Sequence, residues 1–149
     1  MFSSGLCESW FITQVKDNSL DNTAKQKKRV LVVDDEPGIG NVLRIKLRLA
    51  GYEVTTTTSG AEAINIIRTQ KPDVVLLDIL MPDVSGFDVL EKVRPFSSVP
   101  IIAFTARREI ADIAVKNGAN DFIAKPFDPD QMVQKICSVL DKASNKSAT

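Results

Sequence analysis

The chain has 149 residues, 44% of them hydrophobic and 26% charged, which is enough apolar matter for one core of ordinary domain size. With 19 basic against 19 acidic residues there is no net charge, so the overall balance points neither to nucleic acid nor to an anionic membrane. The chain contains no histidine, and its two cysteines, Cys7 and Cys137, stand at opposite ends; His-based catalysis and ligation are excluded, and neither a zinc site nor a disulfide framework is expected.

Residues 1–28 are expected to form a mobile arm. The stretch is mostly polar, lacks sustained periodicity and leads into the basic run Lys25-Gln26-Lys27-Lys28-Arg29, which reads as a solvated lead-in to a strand. Trp10-Phe11-Ile12 is its longest apolar run, too short for a signal-peptide core. No stretch approaches membrane-spanning length, so a cytoplasmic protein is expected.

From Val30 the pattern becomes regular. Val30-Leu31-Val32-Val33 is an all-apolar run of the kind a strand buried on both faces needs. A helix follows, with Pro37 in its first turn, Ile39, Val42, Leu43, Leu47 and Ala50 at helical spacing, and Gly51 placed to end it. Tyr52–Thr57 is strand-like, and Ser59 is positioned to cap a second helix carrying Ala63, Ile64 and Ile67. Val74–Leu77 is the third strand, stopping at Asp78, and Met81–Gly86 is turn material before a short helix with Phe87, Leu90 and Val93. Pro100–Phe104 predicts a fourth strand and Arg107–Asn117 a helix closed by Gly118. Asp121–Ala124 is the fifth strand, followed by a helix starting at Asp128 or Pro129 and a polar tail over residues 143–149.

Five strand-then-helix units in roughly 115 residues imply an α/β fold, a doubly wound five-stranded parallel sheet over residues 29–142, because helices must bury the apolar strands and each crossover is right-handed. A closed eight-stranded barrel needs about twice that length. In an open sheet of this kind, ligands bind at the carboxyl ends of the strands. Those ends carry Asp34-Asp35, Asp78, Thr105 and Lys125-Pro126.

Carboxylates crowded together repel by about 1 kcal/mol per pair at 4 Å in water, and by more at lower dielectric. A hard cation such as Mg²⁺ can offset this, and with Lys125 and Thr105 it can also stabilise a phosphoryl group in transfer to a carboxylate. Taken singly, each residue has a plainer reading. The Asp pair before Pro37 suits a helix cap, Asp78 a solvated turn, Thr105 a strand residue, Lys125 a surface charge and Phe122 a core aromatic.

The set Val32-Val33-Asp34-Asp35-Glu36-Pro37, Leu76-Leu77-Asp78-Ile79-Leu80-Met81-Pro82-Asp83 with Gly86, Phe104-Thr105-Ala106, and Gly118-Ala119-Asn120-Asp121-Phe122-Ile123-Ala124-Lys125-Pro126-Phe127 resembles the receiver domain of two-component response regulators. The resemblance covers roughly residues 29–142 and implies a flavodoxin-like (βα)5 fold with strand order 2-1-3-4-5. It implies that Asp78 accepts a phosphoryl group from a sensor histidine kinase or phosphotransfer protein. Asp34, Asp35, Asp78 and the backbone carbonyl of Leu80 would bind Mg²⁺, Lys125 would contact the phosphate, and Thr105 and Phe122 would form a switch pair. The Thr105-to-Lys125 stretch is slightly shorter than the family pattern.

The expectation is a stand-alone receiver, not a turnover enzyme and with no other cofactor. It would signal through the face of its fourth helix, fifth strand and fifth helix to a downstream effector, forming at most a weak homodimer and touching neither nucleic acid nor membrane. A receiver-like adaptor that binds partners without phosphorylation is the alternative. A flavin binder fits poorly, because Asp34-Asp35-Glu36 would repel the flavin phosphate. An aspartyl phosphatase also fits poorly, since Leu80 stands where those enzymes keep a second acid.

Overall fold

The aliphatic runs become five parallel strands, β1 (Arg29–Val33), β2 (Glu53–Thr57), β3 (Val74–Asp78), β4 (Ile101–Thr105) and β5 (Asp121–Ala124), in the order β2-β1-β3-β4-β5. They belong to a computed structural model that describes residues 27–148. The expected arm up to residue 26, with Trp10-Phe11-Ile12, lies outside the described residues. A strand's side chains alternate between its two faces, and the sheet uses both. Leu31, Val33, Val75, Leu77, Ile101 and Ala103 enter one core, while Val30, Val32, Val74, Leu76, Ile102 and Phe104 enter the other.

Helices α2 (Gly60–Gln70), α3 (Gly86–Val93) and α4 (Ala111–Lys116) cover the first face, and α1 (Pro37–Leu49) and α5 (Pro129–Ala148) the second. Each fully buried aliphatic side chain contributes about 1.5–3 kcal/mol. The chain leaves β1 toward β2 on one side and crosses to β3 on the other, so the carboxyl ends of β1 and β3 flank the point where strand order reverses.

Local chemistry sets the helix ends. Ser59 Oγ accepts from the Glu62 amide at 3.1 Å to start α2. At α3, Ser85 and Asp88 form a reciprocal capping box, with Asp88 N donating to Ser85 Oγ at 3.3 Å and Ser85 N to Asp88 Oδ2 at 3.1 Å. Gly51 at φ 98° and Gly118 at φ 116° end α1 and α4 in the left-handed region that favours glycine.

Three features differ from the sequence reading. The expected helix over Arg107–Asn117 is a 3-10 turn (Arg108–Ile110) followed by the six-residue α4. Arg107 there is extended, its amide donating to Thr105 Oγ1 at 3.3 Å and its guanidinium to Glu109 at 2.9 Å, and neither short element has a side-chain cap. Helix α5 runs on to Ala148 through the expected polar tail, where no glycine or proline stops it. Cys137 is disulfide-bonded, although no disulfide framework was expected.

Alanine substitution at two glycines should have opposite effects. A Cβ at Gly86 would lie 2.6 Å from both the Asp78 carbonyl oxygen and Ile79 Cα, whereas one at Gly38, inside α1, meets nothing within 4 Å. Gly86→Ala should cost about 1–3 kcal/mol through overpacking, and Gly38→Ala should gain about 0.5–1 kcal/mol. Chemical denaturation of the two variants reads both signs.

Candidate functional site

Register brings the strand tips level. Val33 lies opposite Thr57 and Leu77, Asp78 opposite Phe104, and Thr105 opposite Ala124. The residues at and just beyond these tips, Asp34, Asp35, Asp78, Thr105 and Lys125, therefore converge on one edge. The Lys125 amide donates to the Thr105 carbonyl at 2.8 Å, and the Lys125-Pro126 bond is cis, a point the sequence left open.

The Lys125 ammonium bridges the two strand-end acids, donating to Asp34 Oδ2 at 3.0 Å and to Asp78 Oδ2 at 3.1 Å. It lies 3.6 Å from Glu36 Oε1 and 5.0 Å from the centre of the Phe104 ring, so its floor is apolar and its walls anionic. Asp34, Asp78 and Thr105 are all buried, at 2%, 3% and 1% exposure. The second oxygens of the two acids are held by backbone, Asp34 Oδ1 accepting from Glu36 N at 2.9 Å and Asp78 Oδ1 from Leu80 N at 3.1 Å.

This burial changes protonation. Loss of water pushes the Asp78 carboxyl from the ordinary 3.8 up to about 6, with Lys125 opposing the shift and Asp34 adding to it. Burial pulls the Lys125 ammonium down, but its hydrogen bond to Asp34 and the charges of Asp78 and Asp34 outweigh that and hold it above its usual value.

The donor set fits a hard divalent cation. One oxygen each from Asp34, Asp35 and Asp78 lie within 4.8 Å of one another, and a single lysine is too little charge to balance three carboxylates. Carboxylate oxygens with room for water suit Mg²⁺. Leu80 follows Asp78 in the next loop, its side chain 46% exposed.

Thr105 Oγ1 accepts from Arg107 N at 3.3 Å, which leaves the hydroxyl proton free to donate elsewhere. Phe122 is half-buried against the α2–α3–α4 core, in the wall of a cleft of about 650 Å³ that Arg108, Ala111, Lys125, Pro126 and Gln131 also line. The structure thus brings together Asp34, Asp35, Asp78, Thr105 and Lys125, with the exposed Leu80 beside them and Phe122 two residues before the end of β5. Glu36 joins them as a fourth acid. Sequence reasoning used it only as one of three carboxylates that would repel a flavin phosphate and did not place it among the site residues.

Residues 30–137 match the family model described as the response regulator receiver domain. The chain is 40% identical over 136 residues to "Probable transcriptional regulator ycf27" of Guillardia theta, covering 90% of this chain and 53% of that protein. It is 35% identical over 124 residues to "DNA-binding response regulator MtrA" of Mycolicibacterium smegmatis, covering 82% of this chain and 54% of that one. The chain spans about half the length of the curated relatives it matches. A solved response regulator receiver domain protein (CheY-like) from Methanospirillum hungatei superposes with a TM-score of 0.76 at 29% identity, over 81% of this chain and 99% of that one.

The raised Asp78 pKa has a sign that stability measurements can read. Between about 4 and 6 the folded state holds a proton that the unfolded state has released, so this group's contribution to stability falls as pH rises through that window and stays low above it. Asp78→Asn should remove that fall and be more stable than wild type at pH 7 by about 1–2 kcal/mol in the absence of divalent cation. Denaturant titrations from pH 4 to 7 test this; parallel curves for the two proteins would count against the assignment.

Proposed function

The chain belongs to the response regulator receiver domain family of two-component systems, and from that premise we propose that Asp78 is the phosphoryl acceptor of a cytoplasmic phosphorelay. The observation that carries this reading is the Lys125 ammonium bridging Asp34 and Asp78 at 3.0 and 3.1 Å, beside the buried Thr105 hydroxyl. The donor is a phosphohistidine on a sensor kinase or phosphotransfer protein.

An Asp78 carboxylate oxygen forms the new P–O bond as the P–N bond breaks. The leaving imidazole keeps the electron pair and takes up a proton, and the product is an acyl phosphate. Burial makes Asp78 more basic than an ordinary carboxylate while leaving it largely ionised at neutral pH. Asp34, Asp35, Asp78 and the Leu80 backbone carbonyl would hold Mg²⁺, which would supply positive charge to offset that on the phosphoryl oxygens. Lys125 exchanges its Asp78 contact for a phosphoryl oxygen, and Thr105 turns its free proton toward the same group.

That turn opens room beside β5 for the Phe122 ring to move inward, so the phosphoryl group interacts differently with two states of the protein, as a population shift requires. Output leaves through the α4–β5–α5 face as phosphorylation-dependent binding of an effector protein. The exposed Arg108, Asp112 and Lys116 make that face mixed in charge, suited to a specific protein partner or a weak homodimer rather than to direct nucleic-acid contact. The chain promotes changes in its own phosphorylation rather than turning over a substrate.

Incubation with acetyl phosphate followed by intact mass tests the acceptor. One phosphoryl group should appear on wild type with Mg²⁺, and none with a chelator or on Asp78→Asn; addition that survives either change would refute the assignment. Thr105→Ala and Lys125→Ala should both lose the phosphorylation-dependent change in partner affinity; Thr105→Ala should stay folded, and a stability loss of about 2–5 kcal/mol there would mark Thr105 as a core residue instead. The acyl phosphate should be long-lived, because the exposed Leu80 side chain cannot orient an attacking water. Leu80→Asn or Leu80→Glu should therefore change the dephosphorylation rate, and an unchanged rate would contradict this account.

A further inference from the structure

Away from the acidic edge, Arg94 stands directly after α3 and binds neutral oxygens. Its Nε and Nη2 donate to the Gly118 carbonyl at 3.0 and 2.6 Å, and its Nη1 to the Ser97 and Val99 carbonyls at 3.2 and 2.8 Å. Nη2 also donates to Asn120 Oδ1 at 3.0 Å. Asn120 in turn is fixed to the start of β4, its Oδ1 accepting from Ile101 N at 2.9 Å and its amide donating to Ile101 O at 2.7 Å. One planar guanidinium therefore joins the end of α3, the entrance to β4 and the turn between α4 and β5. Gly118 is at φ 116°, and a Cβ there would come within 3.1 Å of Arg94 Cγ and Nε, so the turn is shaped to the arginine lying against it.

The other end of the same segment is loosely held. The 3-10 turn Arg108–Ile110 buries no residue, α4 buries only Ala114, and neither element has a side-chain cap at its start. Ile113 and Val115 of α4 are 47% and 48% exposed. A segment with so little buried apolar surface opens at low free energy, except where something else fixes it.

We propose that Arg94 is the pin of a hinge: it fixes the Gly118–Asn120 turn to α3 and β4, so that phosphorylation swings the segment from Arg107 to Lys116 about that turn instead of displacing the segment as a whole. The proposal rests on the phosphoacceptor reading of Asp78. A lysine at position 94 keeps the charge but cannot reach these acceptors with one planar fork, so Arg94 acts as a positioning residue, apart from the chemistry.

Hydrogen exchange on the full chain, with and without Mg²⁺ and beryllofluoride as the phosphoryl mimic, tests the hinge. In wild type the mimic should change exchange over Arg107–Lys116 and leave the Asn120 amide, which is bonded to Ile101 of β4, unchanged. In Arg94→Lys the Asn120 amide should exchange at least tenfold faster without the mimic and should respond once it is added, while fluorine NMR still detects beryllofluoride on the variant. Equal changes at both ends of the wild-type segment, or an Arg94→Lys turn as protected as wild type, would overturn the hinge. Beryllofluoride uptake without the expected pattern overturns the hinge alone, whereas no uptake by wild type overturns the phosphoacceptor reading and the hinge with it.

Discussion

Negative charge crowded into a small buried volume is the constraint on which the rest of this molecule depends. Asp34, directly after β1, and Asp78, the last residue of the neighbouring β3, are almost fully buried, with one ammonium between them at 3.0 and 3.1 Å. Two buried acids and one lysine leave an excess of charge even before Asp35 and Glu36 are added. The fold tolerates that excess because the backbone amides of Glu36 and Leu80 take up the remaining carboxylate oxygens and Phe104 underlies the lysine. The same excess makes the edge receptive to a divalent cation, while burial, with Asp34 adding to it, keeps the Asp78 carboxyl unusually basic.

The rest of the structure holds that edge in place. Parallel pairing with the strand ends offset by no more than one residue brings groups from β1, β3, β4 and β5 to one edge. Gly86 lets α3 start in contact with the Asp78 and Ile79 backbone, and the Ser85–Asp88 box fixes where that helix begins. At its far end α3 meets Arg94. The helix therefore spans from the Asp78 carboxylate to the turn that closes α4, so the loosely held stretch between Thr105 and Gly118 has a fixed boundary on each side.

Much of this was legible in the residues themselves. Each chemistry-bearing side chain follows an uninterrupted apolar run, as Asp78 follows Val74–Leu77, and an apolar run ending in a charge marks a buried strand reaching an active edge. Glycines after α1 and α4 marked their ends correctly for a backbone reason. The helix expected over Arg107–Asn117 was misread because alanines and isoleucines suggest a helical stripe, while the Thr105–Arg107 and Arg107–Glu109 contacts that unwind its start are invisible to periodicity. Arg94 left no trace, because its acceptors are mostly backbone carbonyls and one of them lies 24 residues away. Glu36 was in plain view beside the Asp pair, but only the fold shows its carboxylate facing Lys125.

The most direct test of the account is to titrate Mg²⁺ into ¹⁵N-labelled protein at pH 7 and follow amide shifts. The account predicts saturation by one ion per chain. The shifts should centre on Asp34, Asp35, Asp78 and Leu80 and be lost in Asp35→Asn. Saturable shifts centred elsewhere on the molecule, or none at millimolar Mg²⁺, would contradict it.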